Sequence, residues 1–124
     1  MQDEPTPSEL TKAVADFLRH DIAPLVTGHS AFKLRVAINA LDLVTRQLTL
    51  ERGADAAESA RLAVLLGMQG SLLDLNRSLA VRIAAGEFDL NTPGLAAHLW
   101  QTTMDKLEVD QPNYGSYKRE LGKI

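Results

Sequence analysis

The chain has no cysteine, few aromatic residues and no long apolar run. The absence of cysteine excludes disulfides, thiolate metal sites and a cysteine nucleophile, and it is typical of the cytoplasm, where we expect the protein to reside. No stretch approaches the ~20 apolar residues of a membrane-spanning helix, so we expect no membrane association. The formal net charge of −3 gives no basic field to attract nucleic acid, and no nucleic-acid partner is expected.

The residues that are present favour helices. Leu and Ala dominate, whereas the aromatic fraction is only 5%, which argues against a β-sandwich. We predict an all-α fold: a single domain over residues 1–124 that forms a bundle of about five helices, with residues 1–5 and 115–124 loosely ordered. Capping and stop signals place the helix starts at Pro7, Ser30, Asp55, Ser71 and Thr92. The long, central second helix is expected to stop before Gly53, and an irregular tail follows Asp110.

A narrow polar stripe, here called the seam, crosses the otherwise apolar second helix. It consists of Arg35, Asn39, Asp42 and Arg46, which recur at helical spacing within roughly 60° of arc. In one interpretation the seam is a solvated edge on which Asp42 and Arg46 form a weak i,i+4 pair. In the other, Arg35, Asn39 and Arg46 line a groove or docking face, where two guanidinium groups could hold carboxylates of a partner.

Three further features are candidates for binding. The segment Asp110, Gln111 and Tyr114 is unusual for a plain helix end, because Pro112 favours extended backbone before it. Tyr114 could pack on the bundle or on another chain. His98 shares a helix face with Thr102 and Asp105; this row could act as a general base only if a nucleophile came from elsewhere, and we predict an exposed polar face there instead. The only tryptophan, Trp100, is expected to pack in the core, with a contact to a partner as the alternative.

Catalytic and cofactor motifs are missing. No histidine has the spacing of a metal-binding helix, and there is no EF-hand loop, GxSxG elbow or phosphate loop. We therefore expect no metal and no cofactor. Whether the protein is an enzyme is left open, but the sequence favours a protein that is not one.

Several stretches of the chain resemble a bacterial family of small domains, the domain of unknown function 6285. The more specific pieces are Arg35-Val36-Ala37-Ile38-Asn39 and Val109-Asp110-Gln111-Pro112-Asn113-Tyr114, and the likeness extends over about residues 5–114. Two positions depart from the family pattern: Gln47 stands where the family has Glu, and Arg82 precedes Ile83 instead of following an isoleucine. The family has no established activity, so the resemblance implies no catalytic residue.

The resemblance implies companions instead. Such domains resemble partners of kinases similar to aminoglycoside phosphotransferases and of acyl-CoA dehydrogenases. The first hypothesis is thus a non-catalytic accessory protein that binds one of these enzymes in acyl-CoA catabolism through the seam. The second is a small binder of an anionic ligand, such as an acyl-CoA or a carboxylate, between the seam and Asp110–Tyr114. A homodimer is also possible if Trp100 or the apolar second helix is left uncovered.

Overall fold

A computed structural model describes residues 3–122, and every regular element within them is helical. The α-helices are α1 (Pro7–Phe17), α2 (Gly28–Leu66), α3 (Leu72–Ala84), α4 (Leu95–Asp110) and α5 (Gly115–Glu120). The predicted all-α fold with a long second helix is confirmed. The chain divides after Glu51 into two compact units, so that α2 belongs to both. Within residues 3–122, every helix is too short or too polar to span a bilayer.

The first helix begins at the predicted capping box. The Thr6 hydroxyl accepts a hydrogen bond from the Glu9 backbone N–H, and Glu9 Oε2 accepts one from the Thr6 N–H at 2.7 Å. These bonds satisfy two donors that a helix start leaves without partners. The hydrogen bonds that the Thr6 backbone N–H and hydroxyl donate to the Glu9 carboxylate lower the pKa of that carboxyl. The chain leaves α1 through a π-helical turn (Leu18–Ile22) and a 3₁₀ turn (Ala23–Leu25), which return it toward the start of α2.

The predicted break at Gly53 is wrong, because α2 is a single helix of 39 residues that includes this glycine. A glycine inside a helix costs only about 1 kcal/mol relative to alanine, and without a proline nothing forces the helix to stop. Asp55 therefore lies inside the helix and opens none. Glu58 accepts a hydrogen bond from Asn76 at 2.8 Å instead of capping. The helix begins at Gly28, where φ is +66°, and not after Ser30.

The core of the second unit lies where the last turns of α2 meet α3 and the start of α4. Its buried members are leucines: Leu62, Leu66, Leu75, Leu79 and Leu95. Ser71 caps α3 as predicted, through a 3.1 Å hydrogen bond from the Asp74 N–H to its hydroxyl. The Arg82 guanidinium donates to the Leu66 carbonyl at the end of α2 and lies over the Phe88 ring. These contacts fix the turn between α3 and α4.

The tail after Asp110 was expected to be irregular, but it contains the short helix α5. The Tyr114 N–H donates to the Gln111 carbonyl at 2.9 Å, which closes the turn around Pro112 and Asn113. Tyr117 is then 6% exposed, and its burial raises the pKa of its hydroxyl. The burial of this one aromatic ring orders a segment whose Pro and Gly content predicted none.

Candidate functional site

The seam lies on one face of a helical hairpin in the first unit. Thr11 and Thr45 share a hydrogen bond of 2.7 Å, and in the π-helical turn that continues α1, Arg19 binds Asp42 at 2.6 Å. Because rising residue numbers on α1 meet falling numbers on α2, the two helices run antiparallel. Asp42 is thus held by an arginine from the neighbouring element, a partner that sequence spacing did not indicate. Arg19 also contacts Asp16 at 3.1 Å, which places Arg19 between two carboxylates.

Two seam residues border a recess in this face. Arg35 and Asn39 are exposed and line a cavity of about 310 Å³ together with Arg19 and Ile38. Arg46 lies further along α2 and is half-buried. The structure therefore brings Arg35, Asn39 and Arg19 together. A guanidinium and an amide at the mouth of such a recess can donate hydrogen bonds to a carboxylate.

The opposite face of the hairpin is apolar: although the helical spacing of Leu10, Val14 and Phe17 predicts that they point inward, all three lie at the surface. Their exposed fractions are 40%, 47% and 53%. Ala15, with no exposure, faces the hairpin interior, and at 100° per residue the three side chains fall to one side of it. In an antiparallel pair, the corresponding side of α2 carries Val44 and Leu48, which are 41% and 45% exposed. These five residues are called the apolar face below.

The C-terminal candidates lie in the second unit. Asp110 ends α4, Gln111 follows it as the C-cap, and Tyr114 precedes α5; all three are exposed. Tyr114 is 51% exposed, and its contact with the bundle or with another chain stays a prediction. The seam and this segment belong to different units, and the pocket that the sequence suggested between them stays a prediction.

The structure reverses two expectations for α4. His98 is 3% exposed, so the row His98, Thr102 and Asp105 is an inner face and not an exposed one. Arg61 of α2 explains why, since its Nη2 lies 3.3 Å from Thr102 Oγ1 and 3.4 Å from Asp105 Oδ2. This polar packing turns Trp100 outward, where it is 55% exposed and not in the core.

Burial of His98 changes its chemistry. The low-dielectric surroundings lower the pKa of the His98 imidazole, the nearby Arg61 charge lowers it further, and the Glu58 carboxylate opposes both effects. The imidazole is therefore neutral at physiological pH. Its Nδ1 and the Arg61 Nε are both buried without a hydrogen-bond partner. The helical spacing of His98, Thr102 and Asp105 was visible in the sequence, but the contact with Arg61 was not, because a contact between two separate helices leaves no periodic spacing in the sequence.

In the part of the chain that the structure describes, no cluster of three His, Asp or Glu side chains could hold a metal ion. Comparison with known proteins gives one match to a protein family. The model of the family described as Domain of unknown function (DUF6285) matches residues 24–114, a range that contains the seam, Arg61, His98 and the Asp110–Tyr114 segment. No curated protein and no solved structure matches the chain.

Proposed function

We propose that this chain, which belongs to the DUF6285 family of domains of unknown function, is a non-catalytic interaction protein. In this proposal it pairs with a second copy of itself through the apolar face and keeps the seam available for an acidic surface of another protein. The exposed apolar face is the observation that carries the proposal. A lone helical hairpin has too few layers to bury its own apolar residues, and a second hairpin supplies the missing layer of a four-helix bundle.

The chemistry of the apolar face favours an identical copy as the occupant. All five residues are uncharged aliphatic or aromatic side chains, so two such faces can meet without burying an unpaired charge. A two-fold axis places each patch against itself, which requires only that the patch be apolar and self-complementary. The ion pairs of Arg19, Asp16 and Lys12 lie on the other side of the hairpin and stay in water.

Light scattering after size-exclusion chromatography tests the pairing. We expect the wild type at dimer mass and Leu48→Arg at monomer mass, because the substitution places a charge in the interface. Gln47→Arg is the matched control: it adds the same charge one position away, on the exposed side of α2, and should leave the dimer intact. A monomeric wild type, or equal behaviour of the two variants, would contradict the proposal.

For the second partner we propose a kinase-like phosphotransferase or an acyl-CoA dehydrogenase acting in acyl-CoA catabolism, the companions that the resemblance implied. The exposed Arg35 and Asn39 support the seam as the docking surface. Co-expression with each candidate should give co-elution that Arg35→Ala abolishes. Lys33→Ala, an exposed cation on the same helix but outside the seam, should have no effect. Co-elution that survives Arg35→Ala would exclude the seam, and elution apart from both enzymes would exclude the partners.

A further inference from the structure

The recess beside the seam, with a volume of about 310 Å³, is bordered by polar groups that the chain itself does not use. Within residues 3–122, the side chains of Arg35 and Asn39 form no hydrogen bond or ion pair with another residue. The two residues lie one helical turn apart, about 6 Å along α2, and both are exposed. A guanidinium and a carboxamide at this spacing can donate to the two oxygens of one carboxylate.

The charges around the recess leave one positive charge without a partner. Arg19 lies between Asp16 at 3.1 Å and Asp42 at 2.6 Å, and Lys12 binds Asp16 at 2.6 Å. These four side chains carry two charges of each sign, so the charge of Arg35 is the one that is not compensated. A carboxylate supplies the single negative charge that balances it, whereas a phosphate group carries about −1.5 to −2 and would be left partly unbalanced.

The sequence around the recess is basic, although the chain as a whole is acidic. The formal net charge is −3, but residues 22–41 contain no Asp or Glu and include Lys33 and Arg35. An acidic segment of a partner therefore meets no like charge from this stretch of the chain. It is attracted to this stretch over about one Debye length, ~8–10 Å, and repelled by the acidic surface elsewhere.

The interior of the recess is small and apolar. Ile38 is 5% exposed and forms its floor, and Ala23 and Ala31 line its sides. Pockets for small molecules measure about 300–1,000 Å³, so this recess lies at the lower end of the range. It suits the methylene stem of one long acidic side chain, whose carboxylate then reaches Arg35 and Asn39.

The irregular end of α1 forms one side of the recess. Arg19 lies in the π-helical turn (Leu18–Ile22), and Ala23 begins the 3₁₀ turn that follows it. π-Helical turns are rare, and they occur frequently at functional sites. The presence of such a turn at the recess is an observation independent of charge, and it also indicates a binding site.

Two exposed apolar side chains border the recess on its solvent side. Phe32 is 58% exposed and Val36 is 52% exposed, and at 100° per residue both fall within about 60° of Asn39. The His29 ring stacks on Phe32 with 6.3 Å between ring centroids, which orients the Phe32 ring but leaves it exposed. An apolar residue of a partner that covers Phe32 also excludes water from the nearby carboxylate and strengthens its attraction to Arg35.

We propose that the recess accepts one glutamate side chain of the partner protein, and that an apolar residue next to this glutamate packs on Phe32 and Val36. The partner is thus recognised through a short segment that combines one acidic and one apolar side chain. This inference rests on the proposed function, because it specifies what the seam binds. It assigns the contact to one carboxylate at Arg35 and Asn39, and it needs no second carboxylate at Arg46.

Nuclear magnetic resonance of the ¹⁵N-labelled full chain tests the recess directly. The probe is the blocked dipeptide N-acetyl-Glu-Leu-amide. N-acetyl-Gln-Leu-amide lacks the charge, and N-acetyl-Glu-Gly-amide lacks the apolar side chain. We expect the first probe to shift the side-chain N–H signals of Arg35 and Asn39 with a Kd of about millimolar, and the other two to bind at least about fivefold more weakly.

Two matched variants locate the contact. Ala31→Leu fills the recess and leaves Arg35 and Asn39 in place, so it should abolish both the binding of the probe and co-elution with the partner enzyme. Ala40→Leu adds the same side chain at an exposed position of α2 that does not line the recess, and it should change neither. The titration of the wild type does not depend on the folding of any variant.

Two results of the titration would overturn the inference. Equal shifts with the Glu-Leu and Gln-Leu probes would show that no carboxylate is recognised. Equal binding of the Glu-Leu probe by the Ala31→Leu and Ala40→Leu variants would place the contact outside the recess.

The same variants separate this inference from the proposed function. Co-elution that Arg35→Ala abolishes but Ala31→Leu does not would overturn the recess and support the seam as a docking surface. Specific binding of the Glu-Leu probe without co-elution of either enzyme would support the recess and exclude the two proposed enzymes as partners.

Discussion

The continuity of α2 through Gly53 gives a quantitative prediction. Gly53 lies inside the helix, and a Cβ added there meets no atom within 4 Å. Gly53→Ala therefore creates no clash and buries no new surface, and only the helical preference of alanine remains. That preference is about 0.8–1.0 kcal/mol in a helix interior. We expect Gly53→Ala to stabilise the protein by about 1 kcal/mol.

Urea unfolding followed by circular dichroism measures this change, and the thermal midpoint should rise by about 4 °C for a chain of this size. Gly67 provides the matched control. A Cβ at Gly67 also meets nothing within 4 Å, but its φ is +65°, the left-handed region that alanine avoids. Gly67→Ala should thus destabilise the protein by about 1–2 kcal/mol.

The opposite signs of two identical substitutions are the point of the test. Destabilisation by Gly53→Ala similar to that by Gly67→Ala would mean that Gly53 adopts a left-handed turn conformation. The helix would then break at Gly53 as the sequence suggested, and the description of α2 as one helix would be refuted. A change in the urea dependence of the unfolding free energy would instead indicate an altered unfolded state, and the midpoints alone could not then be compared.

Three further predictions concern the packing of single residues. The pKa of His98 is lower in the folded than in the unfolded state, so the free energy of unfolding of the wild type should decrease as the pH falls below about 6.5. His98→Gln should flatten that part of the pH profile measured by urea denaturation. An identical slope in both proteins would contradict the burial of His98. Leu62→Ala should cost about 2–5 kcal/mol in chemical denaturation because Leu62 has no exposure, and a loss below about 1 kcal/mol would place it outside the core. Thr6→Ala should cost about 1 kcal/mol in the same denaturation experiment by removing the cap of α1; an unchanged free energy of unfolding would argue against the capping box.

Local signals in the sequence predicted the helices well where a side chain bonds to its own backbone. The caps at Thr6 and Ser71 are of this kind. The same signals failed at Asp55 and Ser30, because a residue able to cap a helix does so only if the chain ends there. The helix through Gly53 instead pairs Glu58 with Asn76, a residue of another element.

In the candidate sites, too, the sequence showed the residues that share one helix face but not their contacts with other elements. The seam was visible as a stripe of four polar residues on one helix, but its pairing with Arg19 was not, since the two helices meet only after the chain turns back. The row on α4 was also visible, yet its burial depends on Arg61, 37 positions before His98 in the sequence. Hydrophobicity alone placed Trp100 inside and His98 outside, and the reverse is observed.

The sequence by itself determined the all-α fold, the capped helix starts and the polar stripe on α2, because each depends on interactions within about one helical turn. Only the tertiary structure decided that α2 is a single 39-residue helix and that the apolar residues of α1 are exposed. It also decided that Arg19 and Arg35 line one recess. These outcomes depend on which helix faces lie against each other. The periodicity of the sequence shows that a helix has an apolar or polar face, but it does not show which other element packs against that face.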